Sequence, residues 1–187
     1  MSEPRTQTAN ATAHDVVAFW QDAGPKRWFD RDDAFDAEFT QRFMSAHEAA
    51  ALGELDHWAD TPHGALALLI LLDQFPRNAF RGQARTYATD AQALRVAQAA
   101  VDAGRHRLVE PALQRFFQLP FTHSENMQDQ DRSVALAGEL PDDSLRWARH
   151  HRDIVARFGR FPHRNALLGR ESTEEEKAFL AEGGFSG

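Results

Sequence analysis

ALALLILLDQFPRNAFRG, residues Ala65–Gly82, is the stretch around which the chain is organised. Residues 65–72 carry no polar side chain. A helix apolar on every side belongs inside a larger packed domain. At ~1.5 Å per residue the run covers only ~12 Å, far short of a bilayer. It then meets Asp73-Gln74-Phe75-Pro76-Arg77-Asn78. Proline has no N–H and disfavours helical backbone in the residue before it, so the helix is expected to end or kink at Phe75. A buried helix thus delivers four polar side chains to one point, and those that are enclosed need partners. Downstream, Phe161-Pro162-His163-Arg164-Asn165-Ala166 repeats Phe75-Pro76-Arg77-Asn78-Ala79 with one insertion.

Working outward, 187 residues suit one domain with a sizeable core, and 14 Phe with 4 Trp supply the bulk to fill it. Residues 1–13 read as a disordered tail and 14–187 as a single all-helical domain. The chain has no Cys, which excludes disulfides, a thiol nucleophile and Cys-ligated zinc. The polar start shows no signal peptide and no run approaches ~20 apolar residues, so a cytoplasmic protein with no membrane partner is expected. The net charge of −7 disfavours nucleic acid as a partner. Of 21 basic residues only Lys26 and Lys177 are lysine; the rest are Arg, a carboxylate- and phosphate-binding side chain or simply a compositional bias.

No segment alternates with period two, and helix signals recur throughout. The first helix is expected from His14 to Trp20, ended by Gly24-Pro25, with Trp28-Phe29 plugging the core from a loop. Phe35, Phe39 and Phe43 mark the second. Thr61 and Pro62 cap and open the central one. Thr89 to Gln92 reads as a capping box, with Leu94, Ala97 and Val101 facing inward. A short helix runs from Glu110 to Leu119 and stops at Pro120. Another runs from Met127 to Glu139, capped by Ser124, with Val134 and Leu136 as its apolar face. The last long helix starts at Pro141-Asp142 and ends at Gly159, with a stripe of Trp147, His151, Ile154, Val155 and Phe158. Ser172 to Glu175 opens a terminal helix, and Phe185 docks the tail. The four Trp read as core. The expected fold is all-α, a bundle of eight or nine helices in hairpins.

LLDQFPRNAFRG (71–82), LPFTHSENMQDQDRSVAL (119–136), HHRDIVARFGRFPHRNALLGRESTEEE (150–176) and PKRWFDRDDAFD (25–36) together resemble a bacterial family catalogued as domain of unknown function 924. The likeness runs from about His14 to Leu180. It implies an all-helical, tetratricopeptide-like fold and brings no assigned reaction. Gln21 stands where the resemblance leads one to expect an aromatic residue.

Three sets of residues could carry chemistry. Arg77, Asn78, Arg160, Arg164 and Asn165 would converge if the two Phe-Pro bends face each other, with Asp73 or Asp153 orienting them; the alternative is that each Arg-Asn ties down its own turn. His123, Glu125, His151, Asp153 and His163 offer imidazoles and carboxylates, but in no metal-binding spacing, so no metal is assigned. His123 and His151 are the candidate proton-transfer residues, against a purely structural role for His151 on an apolar stripe. Ser124 reads as a helix cap rather than a nucleophile.

The favoured reading is a pocket for a small anionic ligand, with acid–base or hydrolytic chemistry at His123 and His151. Asp73, Arg77, Asn78, Glu125, Arg160, Arg164 and Asn165 would bind. No cofactor is indicated. The competing reading is a non-catalytic tetratricopeptide-like scaffold that binds a peptide or protein partner.

Overall fold

The computed structural model describes residues 11–140 and 143–185. These form α-helices joined by short 3-10 turns, with no strand among the described residues. The expected start of the last long helix at Pro141-Asp142, and most of the expected tail, lie outside the described residues.

Helix α1 (Ala13–Phe29) starts at Thr12, whose hydroxyl caps Asp15 in a reciprocal box. It does not stop at Gly24-Pro25. The chain turns through Gly24 at φ 72°, a backbone open to glycine at little cost, and Pro25 opens a further turn. That turn carries Trp28, whose indole N–H donates to the Trp20 carbonyl at 2.6 Å. Asp32 caps α2 (Asp33–Ala51), which buries Phe35, Phe39 and Phe43. Phe35 and Phe39 stack on Phe19 of α1, while Phe43 meets Phe19, and Phe39 meets Trp20, at a tilt.

Helix α3 (Pro62–Leu69) begins as expected, with the Thr61 hydroxyl accepting from the Gly64 N–H and Pro62 in the first turn. Residues 65–72 have no exposed surface. α1, α5 (Asp90–Asp102) and α6 (Arg115–Thr122) pack around it. The expected break at Phe75 does not occur. Residues Ile70–Gln74 form one π-helical turn, Phe75 stays helical, and α4 (Phe75–Ala79) follows with Pro76 in its first turn. The Phe75 N–H bonds the Ile70 carbonyl five residues back, and this wider turn makes room for the proline ring.

Other boundaries differ from the sequence reading for local reasons. Thr89 forms no cap; its hydroxyl turns inward to Leu72. Pro120 lies within α6, and α5 faces the core with Ala93, Ala97 and Ala100. Asn126, not Ser124, caps α7 (Met127–Ala137), while Ser124 donates to Asp129. The buried face of α7 is Gln130, Ser133 and Ala137, because α6 presents Gln118 and Thr122 to it. Helix α8 (Ser144–Phe158) buries His151, Ile154 and Val155, but Trp147 is 46% exposed and is no core residue. The terminal capping box is Thr173 with Glu176, one residue later than expected, and opens α9 (Glu174–Ala181).

Two apolar clusters result. The larger surrounds α3, and the smaller joins Ile154, Val155 and Phe161 with Met127, Phe158, Phe179 and Phe185. No described helix is long and apolar enough to cross a membrane.

Candidate functional site

The π turn and Pro76 leave two buried carbonyls short of backbone donors. Without an N–H, Pro76 can serve neither Leu72 four residues back nor Leu71 five back. Side chains fill both places. His47 Nδ1–H donates to the Leu71 carbonyl at 2.9 Å, and the Thr89 hydroxyl donates to the Leu72 carbonyl at 2.5 Å. The turn is therefore fixed from α2 on one side and the start of α5 on the other, and it aims Asp73 inward.

Asp73 is 1% exposed and fully partnered. Gln74 Nε2 donates to Oδ2 at 2.6 Å, His123 Nδ1 lies 2.7 Å from Oδ1, and Arg77 Nη1 lies 3.3 Å from the same oxygen. Burial works against its charge, but Arg77 and His123 outweigh it and hold the carboxyl well below the usual range. An ionised carboxylate can only accept, so Nδ1 of His123 carries the proton. Burial and then Arg77 push the His123 pKa down despite Asp73, which keeps the imidazole neutral near pH 7. Among the described residues its Nε2 has no hydrogen-bond partner, and it is not a buried orphan, so it is not enclosed by them.

Arg77 Nη1 and Nη2 grip both oxygens of Asp90 at 2.8 and 3.0 Å, and Nη1 also donates to the Asp73 carbonyl. Arg164 reaches the same carboxylate from the second Phe-Pro bend, with Nη1 3.7 Å from Asp90 Oδ2. The two bends thus bring both guanidinium groups to one carboxylate, although their backbones differ: Phe75 is helical and Phe161 extended. Arg164 is 7% exposed and, among the described residues, makes no side-chain hydrogen bond and has its Nε buried without a partner. Its guanidinium carbon lies over the rings of Tyr87 and Phe161, at 4.6 and 4.5 Å from their centroids.

His163 and His151 stand beside this group. Burial, then the Arg164 charge, lowers the His163 pKa to about 4. Burial lowers that of His151 to about 3, and its Nδ1–H donates to the Trp147 carbonyl at 2.8 Å. Both rings pack on Phe185, at 5.1 and 4.6 Å between centroids, so the tail does dock there.

The remaining sequence candidates are placed elsewhere. Asn78 donates to Asp36 on α2 at 2.6 Å. Arg160 and Asn165 bind the buried Glu176 at the head of α9, tying down their own turn. Glu125 is closed by Arg170 at 2.7 and 3.0 Å and by the Phe161 N–H. Asp153 is exposed on α8. Sequence reasoning missed Asp90, Tyr87 and Arg170. Asp90 was hidden inside an apparent capping box, and Tyr87, the single tyrosine of the chain, stood in a loop without periodicity.

No group of three or more His, Asp or Glu able to hold a metal occurs among the described residues. A broad surface depression of about 480 Å³ lies away from the cluster, lined by Arg146, Arg149, His150 and Asp153 of α8.

No curated protein matches the chain. A solved structure described as a protein of unknown function, ATU0120 from Agrobacterium tumefaciens, is 51% identical, covers 91% of this chain and 97% of its own, and superposes with a TM-score of 0.89. A family profile described as bacterial protein of unknown function, DUF924, matches residues 16–184, and the chain belongs to that family.

Proposed function

We propose that the cluster of Asp73, Arg77, Asp90, His123 and Arg164 binds a small anion and performs acid–base chemistry of the hydrolytic type at His123. The observation that carries this reading is an imidazole oriented through Nδ1 by a buried carboxylate, with Nε2 open, and linked through Asp73, Arg77 and Asp90 to a buried guanidinium that makes no hydrogen bond among the described residues. An aspartate that fixes the tautomer and steadies the imidazolium is what a general base requires. The π turn that places Asp73 is also the kind of helix irregularity that gathers at functional sites. In this reading Arg164 holds the anion, His123 Nε2 takes a proton from water or substrate, and Asp73 and Arg77 position and polarise without touching the ligand. His151 and His163 form the wall behind it.

Nitrogen-15 NMR of the histidines tests this. His123 should show the Nδ1–H tautomer, and inorganic phosphate or acetate should move its Nε2 resonance in the wild type but not in Arg164→Ala. Asp73→Asn should release the tautomer preference. A His123 that is insensitive to every anion, or that already carries its proton on Nε2, would sink the proposal.

A further inference from the structure

We propose that the turn at residues 183–185 is a plug on the imidazole side of this site, and that its opening brings His151 and His163 to solvent beside His123. The proposal rests on the acid–base reading above and adds a means of control to it. Closed, the site presents His123; open, it presents His151 and His163 as well.

Local sequence makes the turn. Helix α9 runs into a Gly-Gly pair, and Gly183 turns through φ 81°, a left-handed backbone that glycine adopts at little cost. The Gly183 N–H donates to the Leu180 carbonyl at 3.3 Å and the Gly184 N–H to the Phe179 carbonyl at 2.9 Å, the paired bonds of a Schellman ending. Gly184 is pressed against the helix it closes. A Cβ there would lie 2.5 Å from the Phe179 carbonyl oxygen and 2.6 Å from the Phe179 ring. The reversal throws Phe185 back over α8.

Imidazoles are what Phe185 covers. Its ring centroid lies 5.7 Å from that of His150, 4.6 Å from that of His151 and 5.1 Å from that of His163. His151 is 8% exposed, and His163 keeps a buried Nδ1 with no partner among the described residues. His123 stands close to both, since its charge acts on each. Phe185 is itself only half-buried, so it forms the outer layer over His151.

The plug is lightly held. Among the described residues Phe185 makes no hydrogen bond, and the two bonds that shape the turn close on α9 itself. Helix α9 has anchors of its own, with Phe179 against Phe158 at 5.0 Å and Glu176 bound to Arg160 at 2.7 Å. Residues 183–185 can therefore swing about Gly183 while α9 stays in place. Such local opening at a sparsely held segment costs far less than unfolding the core.

Modification of the histidines of the full chain by diethyl pyrocarbonate at pH 7, followed site by site by mass spectrometry, tests the proposal. The reagent attacks a neutral imidazole nitrogen that reaches solvent. His47, in the main core, therefore reports global unfolding; His123 reports the open side of the site; His151 and His163 report the plug. In the wild type His151 and His163 should react about tenfold more slowly than His123 and about tenfold faster than His47. Phe185→Ala, which removes the cover, and Gly184→Ala, which breaks the turn, should each speed both by about fivefold and leave His47 and His123 unchanged. If His151 and His163 react no faster than His47, or if neither variant speeds them, the plug is overturned. The NMR response of His123 to phosphate or acetate is read separately. No anion response with the expected modification rates would leave the plug standing and sink the acid–base reading; an anion response with rates unmoved by both variants would sink the plug alone.

Discussion

Asp73 is the residue on which the cluster depends. It is fully enclosed, and three neighbours are arranged around its charge. Removing one member of such a buried group leaves the others uncompensated, so Asp73→Asn is expected to lower stability by about 3 kcal/mol in urea unfolding. The accompanying change in the His123 tautomer separates this from a generic packing loss. The two neighbouring histidines dictate a pH response. In the folded chain His151 and His163 are pushed from 6.5 down to about 3 and about 4, chiefly by burial, so they stay neutral. The unfolded chain protonates them near 6.5 and therefore binds more protons below that pH. Their contribution is complete above pH 6.5 and is lost as the pH falls towards 4. Each can add a slope of up to ~1.4 kcal/mol per pH unit in that window. Unfolding free energies measured between pH 7 and 4.5 should show it, and His151→Phe should flatten the curve. A stability independent of pH over this range would contradict the burial of both rings.

Among the elements, the π turn between α3 and α4 is decisive. It depends on two side chains far from it in sequence, His47 and Thr89, that satisfy the Leu71 and Leu72 carbonyls. Thr89→Val keeps the shape and removes the donor. An unpaired buried carbonyl costs about 1–3 kcal/mol, and that loss is expected here. Because Thr89 makes no cap bond, the helicity of α5 should be unchanged; fraying of α5 in hydrogen exchange would instead identify it as a cap. At the other end of α3, a Cβ added at Gly64 would lie 2.0 Å from the Trp58 carbonyl oxygen. That neighbour is backbone and cannot step aside, so Gly64→Ala should cost about 1–3 kcal/mol by chemical denaturation.

Across the whole molecule, the cluster lies where the C-terminal segment meets the end of the central helix. Arg164 from the segment reaches Asp90 on α5, and Glu125 beyond α6 grips Arg170. The segment is itself held by Glu176, which is 2% exposed and accepts from Arg160, Asn165 and the Thr173 N–H. These donors lower its pKa to about 2, so its stabilising effect is present above the ordinary carboxylate range and lost as pH falls through about 2. Glu176→Gln should loosen residues 160–185 first. Limited trypsin digestion should then cut after Arg160 or Arg170 while residues 13–122 stay protected; uniform cleavage would show that the segment and the rest unfold together.

Much of the fold was legible in local chemistry. The unbroken apolar run at 65–72 reads as a buried helix, the Phe35-Phe39-Phe43 spacing as an inward stripe, and Thr61-Pro62 as a helix start, and the structure has all three. Those readings need nothing beyond periodicity and capping, which act within a few residues. The polar sites were a different matter. Two bends with the same Phe-Pro and Arg-Asn residues suggested convergence, yet only their arginines meet, while Asn78, Arg160 and Asn165 anchor three separate contacts. Which of two similar arginines is gripped bidentately and which is left at a distance depends on Asp90 arriving from α5. The passage of the helix through Pro76 depends on His47 and Thr89 arriving from other elements. Local sequence sets what each residue can bond to; only the packing of distant segments sets which partner it meets, because a buried polar group takes whichever complement the fold brings within 3 Å or so.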